Sequence, residues 1–350
     1  MIRILIVDDS NTETAILKHL LETSPDFIVV GCAKNGAEAI KLVALLKPDL
    51  ITMDIQMPVM DGIEATKIIM EQNPTPIVMI SAKVTDEDFD ASFKGLNAGA
   101  LSVLPKPFNV SSPHSKIEQQ NIMDTIRIMS GIKVLKRKPL IKKTTIKPET
   151  KSLKRESQRL AQMIVMGSSV GGTQALNIIL SPLPKNFPVP ILVVQHMMPG
   201  YISGYTKWLD NNINLLVGEM KHNEPLLPGR VYFAPDGYHS EVQRINSLLA
   251  CKLIKSSSVS GFCPSITVLF ESVAKVCGRQ AIGVLLTGMG NDGAEGLLSI
   301  KSAEGHTIIQ DKESSIVFGM AAAAQELGAV ETVLKLDQIA NYLMRLCPVK

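Results

Sequence analysis

The residues Met163–Leu176 read Met-Ile-Val-Met-Gly-Ser-Ser-Val-Gly-Gly-Thr-Gln-Ala-Leu. The apolar start indicates a short buried strand, the small residues after it indicate a sharp corner, and helical spacing follows. Gly167, Ser169 and Gly171 match the G-x-S-x-G pattern, which holds a serine hydroxyl exposed on a tight strand-to-helix turn. Glycines are needed there because the corner takes unusual backbone angles and leaves little room for side chains. Ser169 is therefore the candidate nucleophile.

Two further apolar runs in the last part of the chain also end in polar residues. Ile191–Gln195 leads to His196, and Ile282–Thr287 leads to the run Gly288-Met289-Gly290-Asn291-Asp292-Gly293. Repeated units of this kind predict an α/β domain with a parallel sheet, in which the chemistry lies beyond the carboxyl ends of the strands.

The candidate nucleophile needs a base, because a serine hydroxyl reacts poorly until a neighbouring group takes its proton. Of the six histidines, His196 alone ends a fully apolar strand, as an active-site residue of an open sheet does. The others are expected to be structural or exposed, since they lie in helical patterns, in loops, after a turn or at the start of a strand: His19, His114, His222, His239 and His306. His196 is the candidate base.

The third member of such a site is a buried acid that orients the imidazole and stabilises its charged form. Asp292 follows an apolar strand in a glycine-rich loop, where a backbone can approach a ligand closely. Asp236 and Asp311 are the alternatives, but their loops lack that context. The order Ser169, His196, Asp292 argues against an α/β-hydrolase, in which the acid precedes the histidine.

Length and composition limit the class of protein. A chain of 350 residues predicts two domains, and 45% hydrophobic with 20% charged residues is typical of a globular protein. The amino terminus lacks the features of a secretory signal, and no apolar run approaches the ~20 residues that cross a bilayer. The five cysteines are scattered without a C-x-x-C pair, which predicts reduced thiols. We expect a cytoplasmic protein that does not insert into membranes.

The chain contains a strongly basic stretch. Residues 130–160 carry eleven Lys and Arg against two Glu, whereas the net charge of the whole chain is +3. Such a bias, with few apolar anchors and two prolines, predicts a linker between two domains. The linker is interpreted as a solvated tether or as a docking segment for an anionic surface, and it contains no motif for specific nucleic-acid recognition.

The first 130 residues alternate strand-like and helix-like segments. Five β-α units of this kind predict a doubly wound parallel sheet. The predicted strands are Ile4–Val7, Ile28–Cys32, Leu50–Met53, Ile77–Ile80 and Ala100–Leu104.

Polar residues follow four of these strands and are expected to meet at one edge of the sheet. They are Asp8 and Asp9 after the first strand, Asp54 after the third, Ser81 after the fourth and Lys106 after the fifth. Three converging carboxylates repel one another, and a divalent cation such as Mg²⁺, which takes oxygen ligands, would account for the grouping. Lys106 offers a compact positive charge and Ser81 a hydroxyl for a phosphoryl group.

Three motifs of the first part resemble a response-regulator receiver domain: Val7-Asp8-Asp9-Ser10, Asp54-Ile55-Gln56-Met57-Pro58-Val59-Met60-Asp61-Gly62 and Lys106-Pro107. The resemblance implies a flavodoxin-like domain over residues 1–129 in which Asp54 accepts a phosphoryl group from a histidine kinase. It implies that Asp8, Asp9, Asp54 and the Gln56 carbonyl hold Mg²⁺, and that Ser81 and Lys106 sense the phosphoryl group. Val103 departs from the pattern, because many receivers carry an aromatic switch residue there.

The later motifs resemble the chemotaxis protein-glutamate methylesterase family. They are Gly167–Thr173, Gln195-His196-Met197, Pro228-Gly229, Tyr232–Pro235, Leu286–Gly293 and Phe318-Gly319-Met320. The resemblance implies a Rossmann-like α/β catalytic domain over residues 161–347 that demethylates glutamate methyl esters on chemoreceptors, releases methanol and also deamidates receptor glutamines. This reaction would serve chemotactic adaptation, and the esterase chemistry would need no cofactor.

The same resemblance assigns further roles. It points to the Met289 N–H as an oxyanion donor, and the elbow geometry adds one near Val170. It also implies that the unphosphorylated receiver obstructs the catalytic face and that phosphorylated Asp54 releases it. Val170 departs from the family, which commonly has threonine after the catalytic serine.

Two alternatives remain open. Val170 and Val103 motivate a phosphorylation-controlled binding module whose esterase site is idle. A receiver-controlled nucleic-acid binder acting through the basic linker is the other, and the absence of any recognition motif disfavours it.

Overall fold

A computed structural model of the chain describes residues 1–81, 91, 94–96, 98–106, 115–132, 134 and 161–349. These fall into two units, Met1–Thr150 and Lys151–Lys350, each of which has its own fold. Most of the predicted linker, together with His114, lies outside the described residues, so the domain boundaries stay a prediction. Within the described ranges, no helix is both long enough and apolar enough to span a membrane.

The first unit contains a five-stranded parallel sheet in the order β2-β1-β3-β4-β5. This confirms the predicted receiver-type sheet. The strands are β1 (Ile2–Val7), β2 (Phe27–Ala33), β3 (Leu50–Asp54), β4 (Ile77–Ser81) and β5 (Ser102–Pro105). The helices with defined bounds are α1 (Asn11–Glu22), α2 (Gly36–Leu46), α3 (Gly62–Gln72) and α4 (Ser115–Ser130).

The side on which successive strands are added to this parallel sheet changes at β1. Since β2 lies on one side of β1 and β3 on the other, the carboxyl ends of β1 and β3 flank a topological switch point, where open α/β sheets bind ligands. Asp8 follows β1 and Asp54 ends β3, so both carboxylates lie at this edge.

Each of the first three helices begins after a residue whose side chain caps its amino terminus. Ser10, Asn35 and Asp61 each accept a hydrogen bond from the backbone N–H three residues later. Such caps satisfy one of the free N–H groups at a helix start and contribute about 1 kcal/mol each. The caps therefore place each helix directly after the loop at a strand end.

The second unit contains a seven-stranded parallel sheet in the order β14-β13-β12-β6-β7-β9-β8, and an antiparallel hairpin β10–β11 that the sequence analysis did not predict. The predicted second α/β domain is confirmed. Its strands are β6 (Met163–Ser168), β7 (Ile191–Gln195), β8 (Leu216–Glu219), β9 (Arg230–Phe233), β10 (His239–Ile245), β11 (Leu248–Ile254), β12 (Ala281–Leu285), β13 (His306–Gln310) and β14 (Thr332–Leu334).

Six α-helices of this unit have defined bounds: α5 (Gly172–Leu180), α6 (Tyr201–Asn212), α7 (Ile266–Cys277), α8 (Ala294–Ser302), α9 (Met320–Glu326) and α10 (Leu336–Leu346). Strands β12, β6 and β7 are neighbours, with Leu285 opposite Gly167 and Ser168 opposite Gln195. The three loops that carry the candidate nucleophile, base and acid therefore leave adjacent strands at the same edge.

Helices α7 and α8 pack closely at Gly296. A Cβ atom there would lie 2.6 Å from Phe270 Cβ and 2.9 Å from the Thr267 carbonyl oxygen. We therefore expect Gly296→Ala to lower the free energy of unfolding of this unit by about 1–3 kcal/mol, although alanine favours helices intrinsically. The measurement is urea unfolding followed by the fluorescence of Trp208, the chain's one tryptophan.

The matched control is Gly218→Ala in β8, where an added Cβ would meet no atom within 4 Å. Its effect should stay within about 0.5 kcal/mol. Equal stability of the Gly296→Ala protein and wild type would contradict the close packing.

Candidate active site

The turn after β6 has the form that the G-x-S-x-G pattern predicts. Gly171 has a φ of 76° and caps α5, so the left-handed backbone of the corner falls on a glycine. A Cβ on Gly167 would lie 2.3 Å from Ile266 Cγ2, and one on Gly171 would lie 2.6 Å from Ile316 Cδ1. The glycines are required by both conformation and space, and they leave Ser169 half-buried at the helix start.

Ser169 and His196 leave neighbouring strands and are tied together by a buried amide. The Gln195 Nε2 donates to the carbonyls of Ser169 at 2.8 Å and of His196 at 2.7 Å. Its Oε1 accepts from Ser168 Oγ at 2.6 Å, and the side chain is almost fully buried. The sequence analysis quoted Gln195 only as part of a motif, because this function depends on the pairing of β6 with β7.

Asp292 lies fully buried at the amino terminus of α7. It accepts hydrogen bonds from Ser265 Oγ at 2.8 Å, from Ile266 N at 2.7 Å and from Thr267 N at 3.1 Å. The Nε2 atom of His196 lies 3.0 Å from Asp292 Oδ2. Burial by itself would raise the pKa of Asp292, but the contact with His196 and the bonds from Ile266 and Ser265 lower it to about 2. The carboxylate is therefore ionised at neutral pH.

The structure places the His196 ring against Asp292, with Nε2 3.0 Å from Oδ2. Neither ring nitrogen of His196 makes an aligned hydrogen bond within the described residues, so the contact with Asp292 is an ion-pair distance only. Ser169 Oγ is likewise not hydrogen-bonded to the ring. Catalytic hydrogen bonds often tighten only when substrate binds, so the arrangement keeps Ser169 and His196 as candidates.

The two predicted oxyanion donors have free backbone N–H groups. Within the part of the chain that the structure describes, the N–H groups of Val170 and Met289 donate to no protein acceptor. Thr287 holds the surrounding backbone: its Oγ1 donates to the Val170 carbonyl at 2.9 Å, and its own carbonyl accepts from Ser169 N at 3.1 Å. In turn, Thr287 N donates to the buried Gln310 Oε1 at 3.0 Å.

The alternative histidines and acids of this unit have structural partners. His239 is buried and its two ring nitrogens contact Ser257 O and Ser265 N. The other four residues also have partners: His222 contacts Leu253 N, His306 contacts Glu331, Asp236 accepts from Gly200 N, and Asp311 accepts from Ser314 N. These contacts are consistent with a structural role for the three histidines, and they show that Asp236 and Asp311 each accept a backbone hydrogen bond.

A second site lies at the edge of the first sheet. Carboxylate oxygens of Asp8, Glu13 and Asp54 lie within 4.8 Å of one another. Lys106 Nζ lies 2.9 Å from Asp54 Oδ2 and 3.2 Å from Asp8 Oδ2, and it also contacts Glu13. A cluster of oxygen ligands suits a hard divalent cation.

Asp9 is exposed and is not in this group, and Glu13 takes the third place. The sequence analysis missed Glu13. The available signal was its position three residues after Ser10, whose side chain accepts from Glu13 N and so begins α1 near the cluster.

Electrostatics in this cluster favour a charged lysine. Burial raises the pKa of Asp54, and Lys106 only partly offsets that effect. Burial would lower the pKa of Lys106, but its contacts with Glu13, Asp54 and Asp8 hold that pKa above its ordinary value. Lys106 is thus a fixed positive charge beside Asp54.

The other receiver residues singled out in the sequence lie on β4, β5 and at the start of α3. Ser81 is buried, and its carbonyl accepts from Lys106 N at 2.9 Å. A Cβ on Gly62 would lie 1.9 Å from the Asp54 carbonyl oxygen, which explains the glycine after Asp61. Val103 lies half-buried in β5, opposite Met79 in β4.

Models of known families match both units of the chain. The family described as CheB methylesterase matches residues 164–343, and the response regulator receiver domain matches residues 4–118. This chain belongs to the CheB methylesterase family. Membership confirms the predicted enzyme class and the joining of a response regulator to a methylesterase.

Relatives cover the full chain. A protein-glutamate methylesterase/protein-glutamine glutaminase of Nitrosospira multiformis is 41% identical over 99% of this chain and 97% of its own length. A protein of the same name, numbered 2, from Methanospirillum hungatei is 42% identical over 99% of this chain and 98% of its own length. The crystal structure of the Thermotoga maritima CheB methylesterase catalytic domain is 37% identical, with a TM-score of 0.52 over 53% of this chain and 98% of that one.

The buried Asp292 makes a prediction for acid stability. A pKa lowered in the folded state stabilises the fold above the ordinary value of 3.8, and that stability is lost as the pH falls through the folded pKa of about 2. The difference in unfolding free energy between wild type and Asp292→Asn should therefore shrink by roughly 2 kcal/mol between pH 5 and pH 2. Urea unfolding followed by Trp208 fluorescence across that range measures it.

Asp236→Asn is the control, because burial raises the pKa of Asp236. For a raised pKa the sign reverses, and the difference from wild type should grow in favour of wild type as the pH falls. A gap for Asp292→Asn that does not depend on pH would contradict the assignment of Asp292 as an ionised buried acid.

Proposed function

We propose that this enzyme hydrolyses γ-glutamyl methyl esters on chemoreceptors, releasing methanol, and deamidates receptor glutamines by the same chemistry. The relatives' names support the substrate class. The observation that carries the mechanism is the buried His196–Asp292 pair, in which Nε2 lies 3.0 Å from Oδ2. His196 follows β7 and Asp292 follows β12, the two strands that flank β6, the strand before Ser169. An acid that is ionised at neutral pH next to an imidazole is what a serine hydrolase requires.

The proposed reaction has two halves. Ser169 Oγ attacks the ester carbonyl, and His196 takes the hydroxyl proton and returns it to the departing methoxide, which leaves as methanol. Water then attacks the acyl-serine, again giving a proton to His196, and the second collapse restores the serine and frees the glutamate. Proton transfer of this kind contributes ~10²–10⁴ in rate. Asp292 stays ionised throughout and orients the imidazole.

The oxyanion formed in each half needs hydrogen-bond donors. The N–H groups of Val170 and Met289 are the proposed donors, and their lack of protein acceptors in the described ranges supports this role. Each such donor contributes ~10²–10³ in kcat. The roles of Val170 and Met289 are backbone roles, so neither depends on the side chain.

The test of the esterase proposal is methanol release from methylated receptor. Ser169→Ala should reduce the rate to background, because the other groups cannot form an acyl intermediate without the hydroxyl. Ser299→Ala in α8, whose hydroxyl donates to the Glu295 carbonyl of the same helix at 3.1 Å, should keep the wild-type rate. Undiminished release by the Ser169→Ala protein would refute the assignment.

A binding module with an idle esterase site is the second candidate, favoured by Val170 in place of the family's threonine. Labelling with a fluorophosphonate distinguishes the two. An active site should label at Ser169 and lose labelling in His196→Ala, whereas an idle serine should not react.

We infer that the first unit controls the second through phosphorylation of Asp54 by a chemotaxis histidine kinase. The receiver match and the convergence of Asp8, Asp54 and Lys106 support this proposal. Asp8, Asp54 and the predicted Asp9 and Gln56 carbonyl would hold Mg²⁺, which when bound offsets negative charge as the phosphoryl group is transferred. Lys106 and Ser81 would bind the phosphoryl oxygens.

The control proposal predicts a response to a small phosphodonor. Acetyl phosphate with Mg²⁺ should raise wild-type methanol release roughly tenfold, which requires only ~1.4 kcal/mol of differential stabilisation. Asp54→Asn should not respond, while Asp124→Asn, with a side chain 47% exposed on α4, should respond as wild type does. An equal response of the Asp54→Asn protein would contradict control through Asp54.

A further inference from the structure

The imidazole of His196 is covered on one face by an aromatic ring. Phe262 and His196 are stacked in parallel, with ring centroids 3.9 Å apart and an interplanar angle of 4°. The His196 side chain is only 7% exposed, whereas Phe262 is half-buried in the loop between β11 and α7.

This stack restrains the plane of the His196 ring, which no aligned hydrogen bond holds within the described residues. The Nε2 of His196 lies 3.0 Å from Asp292 Oδ2, but neither ring nitrogen has an aligned partner among the described residues. The contact with Asp292 holds the ring at one atom, and the torsion about the Cβ–Cγ bond has a broad energy profile, so a second restraint on the ring plane improves the orientation. A parallel ring against one face removes this freedom and keeps the imidazole plane fixed.

The local sequence explains how Phe262 reaches His196. Val259 and Phe262 exchange two backbone hydrogen bonds of 3.0 Å across a two-residue turn. Its central residues, Ser260 and Gly261, have φ values of 53° and 84°, as a type I′ turn requires. The turn is tight, so the orientation of Phe262 is set by the backbone.

The residues after Phe262 hold the acid. Ser265 caps α7, and Ser265, Ile266 and Thr267 together donate three hydrogen bonds to Asp292. The segment from Phe262 to Thr267 thus contacts both members of the His–Asp pair, the imidazole by its face and the carboxylate by its oxygens.

The face of a phenyl ring also favours a positive charge. The ring quadrupole is negative at the face, and a cation stacked there is stabilised, more strongly when water is excluded. In the proposed reaction His196 gains a positive charge as it takes the Ser169 proton, so an interaction that favours this charge is stronger in the transition state than in the ground state. Such an interaction raises kcat rather than substrate affinity.

We propose that Phe262 is a positioning residue of the esterase site, which fixes the imidazole plane of His196 and stabilises its imidazolium form. The inference rests on the proposed function, in which His196 is the base. It assigns a role in this reaction to a residue outside the G-x-S-x-G, Gln-His-Met and Thr-Gly-Met-Gly-Asn-Asp-Gly motifs.

Steady-state methanol release by the full-length chain tests the proposal. Phe262→Leu keeps an apolar side chain but removes the ring, and kcat should fall roughly 2- to 30-fold with KM nearly unchanged. Phe262→Tyr restores a ring and should restore most of the activity. Site-specific replacement of Phe262 by mono-, di- and trifluorophenylalanine should lower log kcat stepwise, because fluorine weakens the quadrupole with little change of shape.

Tyr342→Leu is the matched control. Tyr342 stacks on His306 with centroids 5.7 Å apart, also half-buried, away from the candidate site in α10. Its loss should leave kcat unchanged. Wild-type kcat in Phe262→Leu, with Ser169→Ala inactive, would overturn the inference and leave the proposed function standing. A flat fluorination series would overturn the charge-stabilising role, and release that does not depend on Ser169 would overturn the proposed function itself.

Discussion

The carboxylate of Asp292 is fully buried, and an ionised group without water is costly unless partners surround it. The catalytic unit meets this constraint with the amino terminus of α7, whose N–H groups and positive dipole end favour an anion. Because Ser265, Ile266 and Thr267 donate to the carboxylate, the start of α7 must lie under the loop after β12. Gly293 reinforces that placement, since its N–H donates to Thr267 Oγ1 at 2.8 Å. The position of the candidate base then follows from the position of the acid.

The receiver unit also places charged side chains close together in a largely buried cluster. Here three acidic side chains converge and a single lysine, 6% exposed, lies among them. The cluster sits at the switch point between β1 and β3, so its charges are set by the sheet topology in the same way as the pair in the other unit. In the esterase unit the one buried carboxylate is stabilised by three hydrogen-bond donors and by the contact with His196, as the low pKa of Asp292 indicates. In the receiver the acids outnumber the lysine, which is the imbalance that an added cation and phosphoryl group can change.

Local pattern was enough to predict the strands that carry the candidate residues. Buried parallel strands are continuous apolar runs, so β6, β7 and β12 and the polar residues after them are visible in the sequence. Gln195, Ser265 and Phe262 were not predicted as parts of the site, because their contacts with Ser169, Asp292 and His196 join residues that are 26 to 66 positions apart and depend on which strands are neighbours. Glu13 was missed for the same reason: it lies in α1, and only the fold brings it to Asp54. The β10–β11 hairpin was missed because its turn, Asn246-Ser247, lacks glycine although both residues have positive φ.

Val170 shows how a departure from a family pattern can leave a site's geometry intact. The valine side chain cannot donate a hydrogen bond, and this absence is what favours an idle site. Yet the peptide that carries the Val170 N–H also carries the Ser169 carbonyl, which accepts from the buried Gln195 Nε2 at 2.8 Å. The next carbonyl, that of Val170, accepts from Thr287 Oγ1, so buried side chains hold the backbone on both sides of Val170. The N–H of the same residue lies at the start of α5, where the helix dipole favours a developing negative charge. A threonine hydroxyl would add a donor at this position, but the backbone donor does not depend on it, so the substitution weighs little against an active esterase.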